Sequence, residues 1–165
     1  MDRIRKFVEN ATIEELTKLL EKYNIKFESN KKVFLGGTCN NSEWREQLIH
    51  MLEIDYFNPV VDDWNEEAYQ EELRQREICD YCLYVITPKM TGVYSIAEVI
   101  DDSNKRPEKT IFCLITADYS DGEDKPLFFT KSQLKSLQKV GQMVEKNGGK
   151  FFGSLTEVAD YLNNN

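Results

Sequence analysis

The chain has 165 residues, 41% apolar and 30% charged, with 29 acids against 21 lysines and arginines. That length supports one domain with a full core, and the net charge of −8 argues against nonspecific binding to nucleic acid or anionic membrane. No apolar run approaches the roughly 20 residues of a membrane helix, and no apolar stretch follows the basic residues 1–6, so no signal peptide is read.

Residues 1–30 read as a helical appendage. Thr12 and Glu15 fit a capping box, and Leu16, Leu19, Leu20 and Tyr23 repeat at helical spacing until Asn24 and Ser29-Asn30 break the pattern. From Lys32 the rhythm changes, and residues 31–165 read as an α/β domain. Val33-Phe34-Leu35 is a short strand that ends in Gly36-Gly37-Thr38. Ser42 is placed to cap a helix to about Glu53, with Trp44, Leu48, Ile49 and Leu52 on its apolar side. His50 lies on that helix as a surface or packing residue. Tyr56-Phe57 is the next strand and stops at Asn58-Pro59. Residues 60–65 are loop, and 66–78 a polar, acidic helix. Residues 81–86 form the third strand, and 93 to about 102 the helix after it. Residues 110–115 are a fourth apolar strand, and 117–125 an acidic loop with an Asp121-Gly122 turn. Residues 132–147 form a helix closed by Gly148-Gly149, Phe151-Phe152 a last strand, and Ser154 to Glu157 a second capping box opening the final helix.

Strands alternating with helices predict a parallel sheet covered on both faces, and the continuous apolar strands agree with that. Five of them predict a flavodoxin-like three-layer sandwich with a mainly parallel sheet, preceded by the N-terminal helical appendage. Cys79 and Cys82 make a lone C-x-x-C, with no second pair and only His50 to complete a zinc site. Cys82 and Cys113 fall in buried strands as small hydrophobes. Reduced thiols and no leader predict a cytoplasmic protein.

Ligands of open parallel sheets bind beyond the carboxyl ends of the strands. Four segments leave those ends: 36–40, 58–64, 88–98 and 116–118. Gly36-Gly37 permits close backbone approach, or is simply a tight strand-to-helix turn. It is neither a dinucleotide fingerprint nor a P-loop, and no cofactor is expected. Trp64, beside Asp62 and Asp63, is placed to stack on a base or sugar, or is ordinary loop polarity. Glu98 is an acid among Val93, Ile96, Ala97, Val99 and Ile100. A carboxylate there is either tied into a structural network or kept for chemistry.

Taken together, these segments resemble the nucleoside 2-deoxyribosyltransferases, especially the divergent nucleoside 2-deoxyribosyltransferase-like branch, over about residues 32–115. Residues 33–38 are similar to the family's first strand and glycine turn, and Ser42-Glu43-Trp44-Arg45 to the start of its first helix. Phe57-Asn58-Pro59 with Asp63-Trp64 resembles its strand ending in Asn-Pro, and Cys79-Asp80 stands where a small residue and Asp precede its third strand. Ser95-Ile96-Ala97-Glu98 falls where the family has its glutamate nucleophile.

The resemblance implies attack of Glu98 on the anomeric carbon of a 2-deoxyribosyl group, with departure of the base and passage of the sugar to a second base or to water. Glu72 stands where better-known members carry an aspartate near the base; it is either the general acid or an exposed member of the acidic run 66–77. The implied substrate-binding residues are Gly36, Gly37, Thr38, Asn58, Asp63, Trp64, Gly92, Tyr94 and Ser95. Gly92 replaces an aspartate that holds the sugar in better-known members, with the Tyr94 and Ser95 hydroxyls close by. The implied partners are a small-molecule nucleoside or nucleotide and a second copy of the chain, although no counterpart is found of the C-terminal segment that completes a neighbour's site in oligomeric members. Two other readings share the fold: an NAD-cleaving domain of the Toll/interleukin receptor type, and a catalytically silent nucleotide-binding or protein-interaction module.

Overall fold

A computed structural model describes residues 12, 15, 18, 22, 31–63, 65–119 and 125–165. The chain divides into two units, Met1–Asn30 and Lys31–Asn165. In the first, the Thr12 amide donates to Glu15 Oε2 at 2.9 Å and the Glu15 amide to Thr12 Oγ1 at 3.3 Å, which is the capping box read from the sequence. The stripe Leu16, Leu19, Leu20 and Tyr23, the breaks at Asn24 and Ser29-Asn30, Trp64, and the Asp121-Gly122 turn lie outside the described residues.

The second unit runs β1 (Lys32–Gly37), α1 (Trp44–Ile49), β2 (Asp55–Phe57), α2 (Glu66–Ile78), β3 (Tyr81–Ile86) and α3 (Tyr94–Lys105). It continues through a 3-10 turn (Pro107–Lys109), β4 (Thr110–Leu114), the short pair β5 (Ala117–Asp118) and β6 (Leu127–Phe128), α4 (Lys131–Asn147), β7 (Lys150–Phe152) and α5 (Leu155–Asn164). Five strands form one sheet in the order β2-β1-β3-β4-β7, with every neighbouring pair parallel. This is the flavodoxin-like order, in which the first strand lies between the second and third.

Unbroken apolar strands follow from burial on both faces. All six residues of β3 are buried. Tyr81, Leu83 and Val85 meet Trp44 and Leu48 of α1 and Leu155, Val158 and Leu162 of α5. Cys82, Tyr84 and Ile86 belong to the opposite layer, with Val99 of α3 and Leu137 and Val144 of α4. Burying each aliphatic side chain of this kind stabilises by roughly 1.5–3 kcal/mol. Among the described residues, no helix is long and apolar enough to cross a membrane.

Several helix ends carry their own signals. Asn65 caps α2 by accepting from the Ala68 amide at 3.0 Å. Thr130 and Gln133 form the capping box of α4, whose start at Lys131 lies one residue before the predicted Ser132, and Ser154 caps α5. The first helix differs from expectation. It ends at Ile49, and Ser42 does not cap it; the Ser42 hydroxyl donates to Asp118. The segment read as an acidic loop also contains structure, since Ala117 and Asp118 pair antiparallel with Phe128 and Leu127.

Gly37 sits at the end of β1 with φ +123°. A Cβ there would overlap the Val85 backbone on β3. Gly148, the α4 C-cap, has φ +105°, but a Cβ there would meet only Pro107 at 3.4 Å. Gly148→Ala is therefore expected to cost roughly 1–2 kcal/mol, the left-handed penalty alone. Gly37→Ala is expected to cost more than about 3 kcal/mol, because strand separation adds to the torsional strain. Urea unfolding midpoints of the two variants test this order.

Candidate active site

The carboxyl edge of the sheet opens where β1 and β3 send their chains to opposite faces. A cleft of about 320 Å³ lies there. Gly36, Gly37, Cys39 and Arg45 come from β1 and α1, Pro59, Val60 and Val61 from the loop after β2, and Glu72 from α2. The first turns of α3 add Tyr94, Ser95 and Glu98.

The β1 end of this cleft is held from below. Arg45 is 3% exposed and donates from Nε to Leu35 O at 3.1 Å, from Nη1 to Thr38 O at 2.7 Å and from Nη2 to Gly37 O at 3.4 Å. Trp44 Nε1 donates to the same Thr38 carbonyl at 2.8 Å, and the Arg45 guanidinium lies 4.3 Å from the Trp44 ring. Desolvation draws the Arg45 pKa down. Adjacent tryptophan and arginine thus lock the glycine turn by filling carbonyls that the end of a strand leaves open.

The walls meet as a polar ladder. Tyr69, Glu72 and Arg76 are spaced i, i+3, i+7 on α2; Tyr94, Glu98 and Asp102 are spaced i, i+4, i+8 on α3. At the outer rung the two tyrosine hydroxyls are 3.4 Å apart. In the middle, Glu98 and Glu72 stand side by side on the cleft wall, close enough for the charge of Glu72 to act on Glu98. At the inner rung, Arg76 donates from Nη1 to Glu98 Oε1 at 3.0 Å, and from Nη2 and Nε to the two oxygens of Asp102 at 2.8 and 3.1 Å.

Glu98 is 4% exposed. Desolvation, and then the charge of Glu72, push its pKa from the ordinary 4.5 to about 7, against the pull of Arg76. The hydrogen bond that its hydroxyl donates to Tyr69, with burial, lifts Tyr94 to about 12, so Tyr94 stays a neutral hydroxyl. The arrangement is therefore a buried carboxyl that takes up a proton near neutral pH, with a second carboxyl, an apolar wall and two hydroxyls beside it.

Of the residues read from the sequence, Gly36, Gly37, Glu72, Tyr94, Ser95 and Glu98 are brought together in the cleft. Thr38, Asn58, Asp63 and Gly92 do not line it. Thr38 is buried, and its hydroxyl accepts from the Thr87 amide at 3.0 Å. Asn58 is exposed, and its side chain accepts from the Val60 amide at 3.1 Å, shaping the loop that forms the wall. Asp63 and Gly92 are exposed, and a Cβ at Gly92 would meet nothing within 4 Å. His50 is exposed and Cys79 and Cys82 are buried. Lys89 ties loops together: its ammonium donates to the carbonyls of Asn41 and Tyr119, and lies 3.6 Å from Asp118. Arg76 and Asp102 had gone unread. Their signal is the coincidence of helical spacing with opposite charge on two neighbouring helices.

Residues 30–117 match the family described as nucleoside 2-deoxyribosyltransferase like. Comparisons with curated proteins and with solved structures gave no match.

The raised Glu98 pKa has a signed consequence for stability. The unfolded chain releases this proton near 4.5 and the folded chain near 7. Stability from this group is fully present below the lower value and is lost as pH rises through the higher one. Glu98→Gln removes that loss. From pH 4 to pH 8 the stability difference is expected to move in favour of the variant by about 2–3 kcal/mol, read by urea unfolding at each pH.

Proposed function

The chain belongs to the nucleoside 2-deoxyribosyltransferase-like family, and on that premise we propose that it cleaves or transfers at the N-glycosidic bond of a (deoxy)nucleoside or nucleotide, with Glu98 as the nucleophile. The observation that carries this reading is a buried glutamate on the cleft wall, beside a second glutamate and titrating near neutrality. A glycosyl transfer through a carboxylate needs one ionised acid to attack and one protonated acid to assist departure. Two carboxyls that share a proton supply both at the pH where each is half available.

In the ionised state Glu98 forms a bond to the anomeric carbon while the carbon–nitrogen bond breaks. The bonding pair goes to the base, and Glu72 delivers its proton there. A second base or water then attacks the anomeric carbon and gives a proton to Glu72, and the Glu98 carboxylate leaves. Arg76 keeps the attacking carboxylate oriented, and Tyr94 and Ser95 offer neutral hydroxyls to the sugar. Val60 and Val61 give the base an apolar wall, which favours its departure in neutral, protonated form.

Incubation with a 2′-deoxynucleoside and a second free base is expected to give base exchange or free base, with kcat/KM passing through a maximum and falling as pH rises through about 7, where the pair loses its shared proton. Glu98→Gln is expected to reduce turnover to background, and Glu72→Gln to lower it on the order of 10²-fold. Equal turnover by a folded Glu98→Gln variant would remove the nucleophile. Cleavage of NAD alone would favour the Toll/interleukin receptor type of chemistry. Binding of nucleosides with no bond broken would favour a silent module.

A further inference from the structure

Resting on the glycosidic reading, we propose that Arg76 and Asp102 are positioning residues for Glu98. Asp102 occupies the guanidinium fork of Arg76, so that Arg76 fixes Glu98 through one hydrogen bond and leaves it free to exchange its proton with Glu72.

The geometry is a division of donors. Asp102 is fully buried and accepts four hydrogen bonds: two from Arg76, one from Arg106 Nε at 3.0 Å and one from the Tyr84 hydroxyl. Two donors on each oxygen fill the carboxylate. Arg76 has one remaining nitrogen, Nη1, and it reaches Glu98 at 3.0 Å. The carboxylate of Asp101 stands farther off, 3.7 Å from Nη2.

The two extremes would both defeat a nucleophile. A glutamate that held the whole fork would be a tight ion pair, weakly basic and unable to share a proton. A buried glutamate with no cation would stay protonated. Glu98 lies between them. The charged and titratable groups facing it are Glu72 and Arg76 from α2, Tyr94 and Asp102 from its own helix, and Arg45 and Cys39 across the cleft, with Tyr84 of β3 acting through Asp102. Arg45 is committed to backbone carbonyls, which leaves Arg76 as the cation that addresses Glu98.

The test is a carbon NMR pH titration of the full chain labelled at glutamate carboxyls, with Glu98 assigned through Glu98→Gln. Asp102→Asn keeps the shape of the side chain and removes its charge, so Arg76 acts on Glu98 alone. The Glu98 midpoint is expected to fall by about one pH unit, and the descending limb of kcat/KM with it. Arg106→Gln removes a cation from the far side of Asp102, and is expected to move the midpoint upward. A purely structural role would lower stability and leave both midpoints in place. Unmoved midpoints in folded variants, or shifts of the opposite sign, would overturn the proposal; if Asp102→Asn does not fold, Arg106→Gln decides it alone. Because the titration needs no turnover, a wild-type protein that releases no base would sink the glycosidic reading while the midpoints still judge the division of Arg76.

Discussion

A guanidinium with almost no water around it must be met by carboxylates, and Arg76 is met by two. Breaking such a buried pair from one side costs about 3–5 kcal/mol, so α2 and α3 cannot separate without losing a large fraction of a domain's stability. The same contact sets the surroundings of Glu98 at the carboxyl edge. Asp102 takes the fork, and Glu98 takes the remainder. On the proposed function, the structural and functional readings of a buried acid are therefore not alternatives here. One residue, Asp102, is wholly committed to structure, and its neighbour one helical turn earlier keeps a raised proton affinity, the one the proposed reaction requires.

A second constraint places that pair beside open space. β1 and β3 are adjacent, and their chains leave the sheet toward opposite faces. The backbone can turn at Gly37 only because no Cβ stands against Val85, and the turn is held by donors from Trp44 and Arg45. The cleft is what remains between the locked turn, the loop shaped by Asn58 and the first turns of α3. Neutral hydroxyls and valines complete it, so the acids face a site of low polarity in which small charge differences carry weight.

The sheet was legible because parallel strands announce themselves: 33–35, 81–86 and 110–114 are apolar at nearly every position, and Gly or Pro follows several of them. Glu98 was legible as an acid inside an apolar pattern. Its partners were harder. Arg76 sits in a helix that is polar on all sides, where periodicity has no apolar stripe to anchor it, and its role is set by a different helix 22 residues on. Ser42 misled because a hydroxyl before a helix is a common cap, yet Asp118, 76 residues away, competes for it. Thr38 and Asn58 had the right position for ligand contact, but their side chains bind the backbone instead. For Arg76, Ser42 and Thr38 the deciding partner is distant in sequence, and local pattern carries no information about it.

The account turns on whether Glu98 becomes covalently bonded to a sugar. Mass spectrometry of wild-type protein quenched during turnover of a 2′-deoxynucleoside, followed by peptide mapping, measures this directly. The account predicts a 2-deoxyribosyl group on the peptide that carries Glu98, discharged when a second base is added. Release of base with an unmodified Glu98 peptide at every quench time, or a sugar found on a different residue, would contradict it.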